Sequence, residues 1–230
     1  MMAGDEGTQW LDQGEHAVRA IGVATGLTVL GWAIWRGIWR GLHRPGGRSS
    51  GAARHVLRPG RLLIVAALWT GFSALLWRPL PLKLSPAARL AALLGGAAAW
   101  FSGLALYVAG MLTLGAQFRP SSSLGVELAA GQSLVTHGPF AWVRHPMYLA
   151  AQCVGVGGLL LYRNWTFAFV APSFLGLFVR ARREEAVLAA EFGVEWDDYA
   201  RNVPFWLPRR PVGRVGNPAS SAHGNRTKAI

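Results

Sequence analysis

Negative charge is what this 230-residue chain has least of: 11 aspartates and glutamates stand against 23 lysines and arginines, and all charged residues together make up only 15%. An ordinary soluble domain carries about 25% charged residues, so the shortfall excludes a water-facing globule and implies a membrane protein. Cysteine is nearly absent as well. The single Cys153 excludes an internal disulfide and any cysteine-based zinc site, and its place in an apolar segment suits packing. The sequence also offers no serine–histidine–acid arrangement, no metal-ligand cluster and no phosphate loop, so no metal is expected. The "GVGG" of Gly155 to Gly158 follows no strand and lies within an apolar run. Close helix packing accounts for it better than nucleotide binding, as it does for Gly22 and Gly26.

What remains is 52% hydrophobic, with 11 tryptophans and a net charge of +12. A basic chain invites a nucleic-acid reading. Here the arginines fall between and after apolar segments, where they serve as membrane-flank charges, and no nucleic-acid partner is expected. Five apolar stretches can be read: Ala20 to Trp35, Leu62 to Trp77, Leu90 to Leu114, Met147 to Tyr162 and Trp165 to Val179. A spanning helix wants about 20 apolar residues, which the third meets and the others approach with their flanks. Trp35, Trp39, Trp69, Trp77, Tyr162 and Trp165 near the ends fit interfacial belts. The acids before the first stretch (Asp5, Glu6, Asp12, Glu15) do not fit a signal peptide, whose leading region is basic.

The expected fold is therefore all-α and polytopic, with about five transmembrane helices and a helical hairpin in the C-terminal half. Residues 1–116 hold three spans, 117–208 the hairpin core, and 209–230 a basic, Gly/Pro/Ser-rich tail expected to be disordered. The segment "RGIWRGLHRPGGRSSGAARHVLRPGR" after the first span holds seven arginines and no acid, which places it in the cytoplasm. The N-terminus is then outside, and the region from Gln117 to Arg144 and the C-terminus are inside. The Arg163-Asn164 turn predicts a tight hairpin between spans four and five.

Six of the 11 acids lie between Glu184 and Asp198, directly after the fifth stretch. "VRARREEAVLAAEFG" reads as a helix that stops at Gly193. At about 100° per residue, Val187 and Leu188 mark its apolar face. Arg180, Glu184 and Glu191 share that arc, four-residue spacing lets Arg180 and Glu184 interact, and Arg182, Arg183 and Glu185 point elsewhere. His145-Pro146 opens the fourth stretch. Proline at a first helical position and a snorkelling arginine beside it are each ordinary, so the dipeptide alone carries no function.

Three blocks in order change that: "LVTHGPFAWVRHPMY", "REE" after a hairpin, and "EFG…Y…VP". From Gln132 to Pro208, about a third of the chain, the sequence resembles the isoprenylcysteine carboxyl methyltransferase family. The resemblance implies an integral-membrane enzyme that uses S-adenosyl-L-methionine. It carries cofactor-binding roles to Gln132, Ser133, Leu134, Val135, Phe140, His145, Pro146, Met147, Tyr148 and Glu184. Arg180 takes the substrate side, so Arg180 and Glu184 are the catalytic pair. Phe140 stands where an aromatic hydroxyl is common in the family, and Trp196 replaces a frequent tyrosine. The implied acceptor is lipophilic or small, reached among membrane lipids at the cytoplasmic interface. A carboxylate acceptor is already anionic at pH 7 and needs no base; a guanidinium that grips it suffices. An amine or thiol acceptor would ask more of Glu184 or His145. Two other readings stay open on residues alone: a sterol-reductase-type membrane oxidoreductase, and a non-enzymatic membrane scaffold.

Overall fold

A computed structural model of the chain describes residues 3–43, 59–115 and 133–208. Most of the arginine-rich loop, Gln132 and the basic tail lie outside the described residues. Among the described residues seven α-helices follow in order: α1 Ala3–His43, α2 Pro59–Leu75, α3 Pro86–Leu114, α4 Pro146–Tyr162, α5 Trp165–Ser173, α6 Gly176–Phe192 and α7 Val194–Asn202, with a 3₁₀ turn at Gly138–Ala141. Among the described residues an isolated bridge, Pro79 to Asn164, is the one extended pairing. The expectation of an all-α protein is met. Two helical segments, Gln9–Arg36 and Pro86–Leu114, are long and apolar enough to cross a membrane, and Pro146–Tyr162 is a shorter apolar helix. Large apolar side chains such as Leu27 on α1, Leu68 on α2, Leu94 on α3 and Phe169 on α5 are exposed, which suits contact with lipid rather than water.

The helix boundaries have local causes. The Ser85 hydroxyl accepts from the Ala88 N–H and Pro86 occupies the first turn of α3, leaving fewer unsatisfied N–H groups there. Arg163 adopts the left-handed conformation (φ 48°, ψ 49°) that ends α4, and the Asn164 side chain caps α5 through the Phe167 N–H at 3.0 Å. The two-residue hairpin expected at Arg163-Asn164 is thus formed. The fifth apolar stretch, read as one helix continuing to Gly193, is instead two. Pro172 lies inside α5, cannot donate to the helical ladder, and is followed by a turn at Phe174-Leu175 before α6 begins.

The core is the contact of α3 with α4. Gly96, Gly103 and Gly110 recur every seven residues on α3, all buried. A methyl group on Gly103 would meet the Ala150 carbonyl oxygen at 2.9 Å; on Gly110 it would meet Met147 Cγ, and on Gly96 the Leu161 N. From α4, Gly157 answers by lying against the Trp100 backbone, while Gly155 and Gly158 face Phe174 and Phe167. Helix packing is therefore the role of the "GVGG" run. Gly22 and Gly26 admit Tyr162 and Trp100 in the same way, which brings α1 alongside. Helices α1 and α3 run in one direction: Asp12 and Glu15 meet Arg89 at one end, and Ala33 meets Met111 at the other. Helix α4 runs the opposite way, its C-terminal Arg163 at Glu15 and its Met147 packed on the Ala33–Met111 cluster.

A methyl at position 157 has no room, because its Cβ would stand 2.5 Å from the Trp100 backbone nitrogen, whereas at Gly95 the nearest neighbour is 4.0 Å away. Gly157→Ala should destabilise the protein by about 1–3 kcal/mol, the usual range for overpacking. Gly95→Ala should be neutral or slightly stabilising, since alanine is the better helix former by roughly 0.5–1 kcal/mol. Thermal unfolding of the two variants in detergent checks this.

Candidate active site at the start of α4

Residues 133–145 carry the chain from the extended segment at Ser133 into α4. Gly138 takes a positive φ of 60° and sits so close to α3 that a methyl there would meet Thr113 Oγ1 at 2.7 Å. Only glycine fits both demands. Pro139 and Val143 are buried, and Pro146 opens α4 with its ring fully covered. His145, 6% exposed, is thereby fixed beneath the cap of the helix. Its side chain does not cap α4. Instead Nε2 lies 3.2 Å from Glu185 Oε1 on α6. A carboxylate only accepts, so that nitrogen carries the proton.

Glu185 joins three elements. Its Oε1 lies 2.9 Å from Arg144 Nε, although that N–H is not aimed at an acceptor, so the contact is ionic rather than a directed hydrogen bond. Arg144 also donates from Nη1 to the Ala200 carbonyl on α7 at 3.2 Å, and its backbone N–H donates to the Pro204 carbonyl at 3.0 Å. Its guanidinium faces the Trp196 and Phe205 rings at 5.8 and 5.5 Å. The Tyr199 hydroxyl donates to the Phe140 carbonyl at 2.7 Å, and burial pushes that phenol up, so it remains a donor. The "VPFW" segment after α7 is held over His145 in this way, with Phe205 edge-on at 5.2 Å. Trp206 Nε1 donates to Gln152 of α4 at 2.8 Å.

One turn into α4, the Tyr148 ring stacks on His145 at 5.6 Å. Its hydroxyl donates to Glu184 Oε2 at 2.8 Å and accepts from Arg180 Nε at 2.6 Å. Arg180 and Glu184, four apart on α6, are thus linked through a phenol on the facing helix. They do share a face, as expected. The face itself is turned from the sequence expectation. Its buried residue is Ala181, with Glu184 on one side and Glu185 on the other. The reading that sent Glu185 elsewhere is corrected. Val187 and Leu188, which set that reading, are only partly buried, and an alanine gave too little hydrophobic signal to mark the true seam.

Of the residues expected at the site, the structure brings together His145, Pro146, Tyr148, Arg180 and Glu184. Phe140 joins through its carbonyl. Ser133 is exposed and Leu134 and Val135 half-buried in the extended approach. Met147 turns its side chain the other way, onto Gly110 and the Met111 cluster. Gln132 lies outside the described residues. Arg144, Glu185, Tyr199, Phe205 and Trp206 are the additions. Both the second acid of the "REE" block and the arginine of "RHP" were visible in the sequence, but the first was read as pointing elsewhere and the second as a snorkelling flank. Glu185→Gln should loosen the hold on α7 and the "VPFW" segment over His145. Loss of a half-buried charge-assisted contact should cost about 1.5–3 kcal/mol, and hydrogen exchange over 194–206 should accelerate while α3 stays protected.

Residues 97–190 match the model of the isoprenylcysteine carboxyl methyltransferase family, a span from the middle of α3 to the end of α6. The chain is 34% identical over 120 residues to the nickel-cobalt-cadmium resistance protein NccN of Alcaligenes xylosoxydans xylosoxydans, covering 50% of this chain and 55% of that protein. It is 32% identical over 108 residues to the protein-S-isoprenylcysteine O-methyltransferase of Mus musculus, covering 46% of this chain and 38% of the relative. With the enzyme of that name from Schizosaccharomyces pombe it shares 31% over 118 residues, covering 44% and 48%. The chain thus spans about half the length of these curated relatives, or less. This shared region, which contains Tyr148, Arg180, Glu184 and Glu185, is what the chain has in common with the isoprenylcysteine carboxyl methyltransferase family.

Proposed function

We propose that this protein is a membrane methyltransferase that uses S-adenosylmethionine to methylate a lipophilic carboxylate, with an isoprenylcysteine-like acceptor as the first candidate. The observation that carries the reading is the Tyr148 hydroxyl, held between Arg180 and Glu184 inside the region matched by the family. The residues suit such a donor. Glu184 gives one oxygen to Tyr148 and keeps the other for a ligand's hydroxyl or amine. His145, Phe205 and Trp206 offer aromatic surface for a flat base. His145, Pro146, Tyr148 and Glu184 would hold the cofactor, with Gln132 to Val135, Phe140 and the backbone at Met147 along its edge. When bound, the cofactor supplies a methyl group already activated on a sulfonium sulfur.

The remaining work is positioning. Arg180 would grip the acceptor carboxylate with the fork of its guanidinium and hold it in line for attack. No general base is required, because that acceptor is already ionised. The apolar helices around α4 admit a lipid chain and keep water from the reacting atoms. The chain crosses the membrane five times, with the N-terminus outside and the site and C-terminus cytoplasmic; the shared direction of α1 and α3, the opposite direction of α4 and the arginine-rich loop support this. Reporter fusions should then place residues 50 and 220 in the cytoplasm and residue 5 outside, and residue 50 outside would overturn the topology.

Incubating the purified protein with methyl-labelled S-adenosylmethionine and a panel of isoprenylcysteine, lipid-amine and thiol acceptors tests the activity. The variants separate the roles. Glu184→Ala should weaken cofactor binding about ten- to hundredfold, the equivalent of a charge-assisted hydrogen bond. Arg180→Ala should bind cofactor nearly as well as wild type yet transfer methyl groups poorly, and Arg180→Lys should restore little. Wild-type turnover in Arg180→Ala would refute its substrate role.

A further inference from the structure

At the end of the bundle away from Tyr148 lies a cavity of about 520 Å³. Its floor is Glu15, 3% exposed, which sits on the apolar helix α1 where an unpaired carboxylate would be costly. Three arginines, from α1, α3 and the turn after α4, converge on it: Arg163 Nη2 at 2.6 Å, Arg89 Nε at 3.1 Å and Arg19 Nη2 at 3.0 Å. Arg89 also pairs with Asp12. Lys83 completes the lining from the loop between α2 and α3, and among the described residues it has no partner.

That is more cation than the protein neutralises. Arg19, Lys83, Arg89 and Arg163 face Glu15 alone within the cavity, and counting Asp12 at the rim still leaves an excess of two positive charges. The walls are fixed. The Leu80 N–H donates to the Arg163 carbonyl at 2.7 Å, the Trp165 N–H to the Arg78 carbonyl at 3.1 Å, and Arg163 Nη2 is anchored by the buried carboxylate. Glu15 thus acts as an internal template that gathers guanidinium groups without cancelling them. Beside them, Leu82 and Leu84 are exposed at the mouth. Guanidinium forks match phosphate oxygens, and uncompensated cations at a membrane edge favour an anion.

We propose that this cavity binds a phosphate anion, with the headgroup of an anionic phospholipid as the source that its leucine-lined mouth favours. The inference does not depend on the methyltransferase reading, since it concerns the opposite end of the molecule and is read by binding alone.

The test uses the full chain in detergent and its unfolding temperature. Dioctanoyl phosphatidylglycerol should stabilise the protein saturably, and dioctanoyl phosphatidylcholine, whose choline cation opposes the cavity, much less. Lys83 is exposed and makes no contact that folding needs. Lys83→Gln should therefore weaken phosphatidylglycerol binding about fivefold and Lys83→Glu about thirtyfold, the effect of one and two surface charges. Inorganic phosphate forms the second arm. Equal, Lys83-dependent affinity for phosphate assigns the cavity to the free anion, and a much weaker effect assigns it to the lipid. Equal phosphatidylglycerol binding by wild type and both variants, or no saturable binding of either anion, overturns the proposal.

Discussion

The contact between α3 and α4 sets everything else in the molecule. Two helices can approach to backbone distance only where side chains are missing from both, and this pair meets that condition along its whole length. Gly96, Gly103 and Gly110 supply it from α3, and Ala150 and Gly157 from α4. A seven-residue spacing keeps the three glycines on nearly one line of the helix. The seam fixes α4 in height as well as distance, because each glycine accepts a particular neighbour: Leu161, Ala150 or Met147. His145 and Tyr148 inherit that height. The turn at Gly138 packs on the same helix through Thr113, so the approach to α4 and α4 itself are gauged from one rigid element.

The second constraint is the break after Pro172. Had the run from Trp165 to Phe192 been one straight helix, α6 would have continued along the line of α5. The turn at Phe174-Leu175 resets its direction, and α6 presents Ala181 to α4 with a carboxylate on either side. The small side chain matters, since it lets Glu184 and Glu185 reach Tyr148 and His145 across a short gap. The two charges of opposite sign at each contact remain paired within the protein, as they must where water is scarce.

Much of this was legible in the residues. The apolar runs, the Arg163-Asn164 hairpin, the stop at Gly193 and the shared face of Arg180 and Glu184 follow from hydrophobicity, turn chemistry and helical period. What escaped has physical reasons. The heptad of glycines on α3 is a pattern of absences, and a search for apolar side chains passes over it. Pro172 stood in plain view inside an apolar run, but its effect on the direction of α6 depends on what that helix packs against. Glu185 was lost because the helical wheel was centred on Val187 and Leu188, the bulkiest residues, rather than on Ala181. Glu15 looked like part of an acidic leader. Its partner Arg19 is local, but Arg89 and Arg163 are 74 and 148 residues away, a distance no local pattern spans.

The Tyr148 phenol has a consequence of its own. One oxygen accepts from Arg180 while its proton goes to Glu184, so neither side chain can change partners without altering the bond that the other makes. A ligand that draws Arg180 away removes a positive donor from the phenol, which then gives up its proton to Glu184 less readily, and Glu184 is freer to accept from elsewhere. A ligand on Glu184 acts on Arg180 through the same oxygen. On the proposed assignment, donor and acceptor of the methyl group would feel each other's presence before they touch, and by reciprocity each would shift the other's affinity by the same factor.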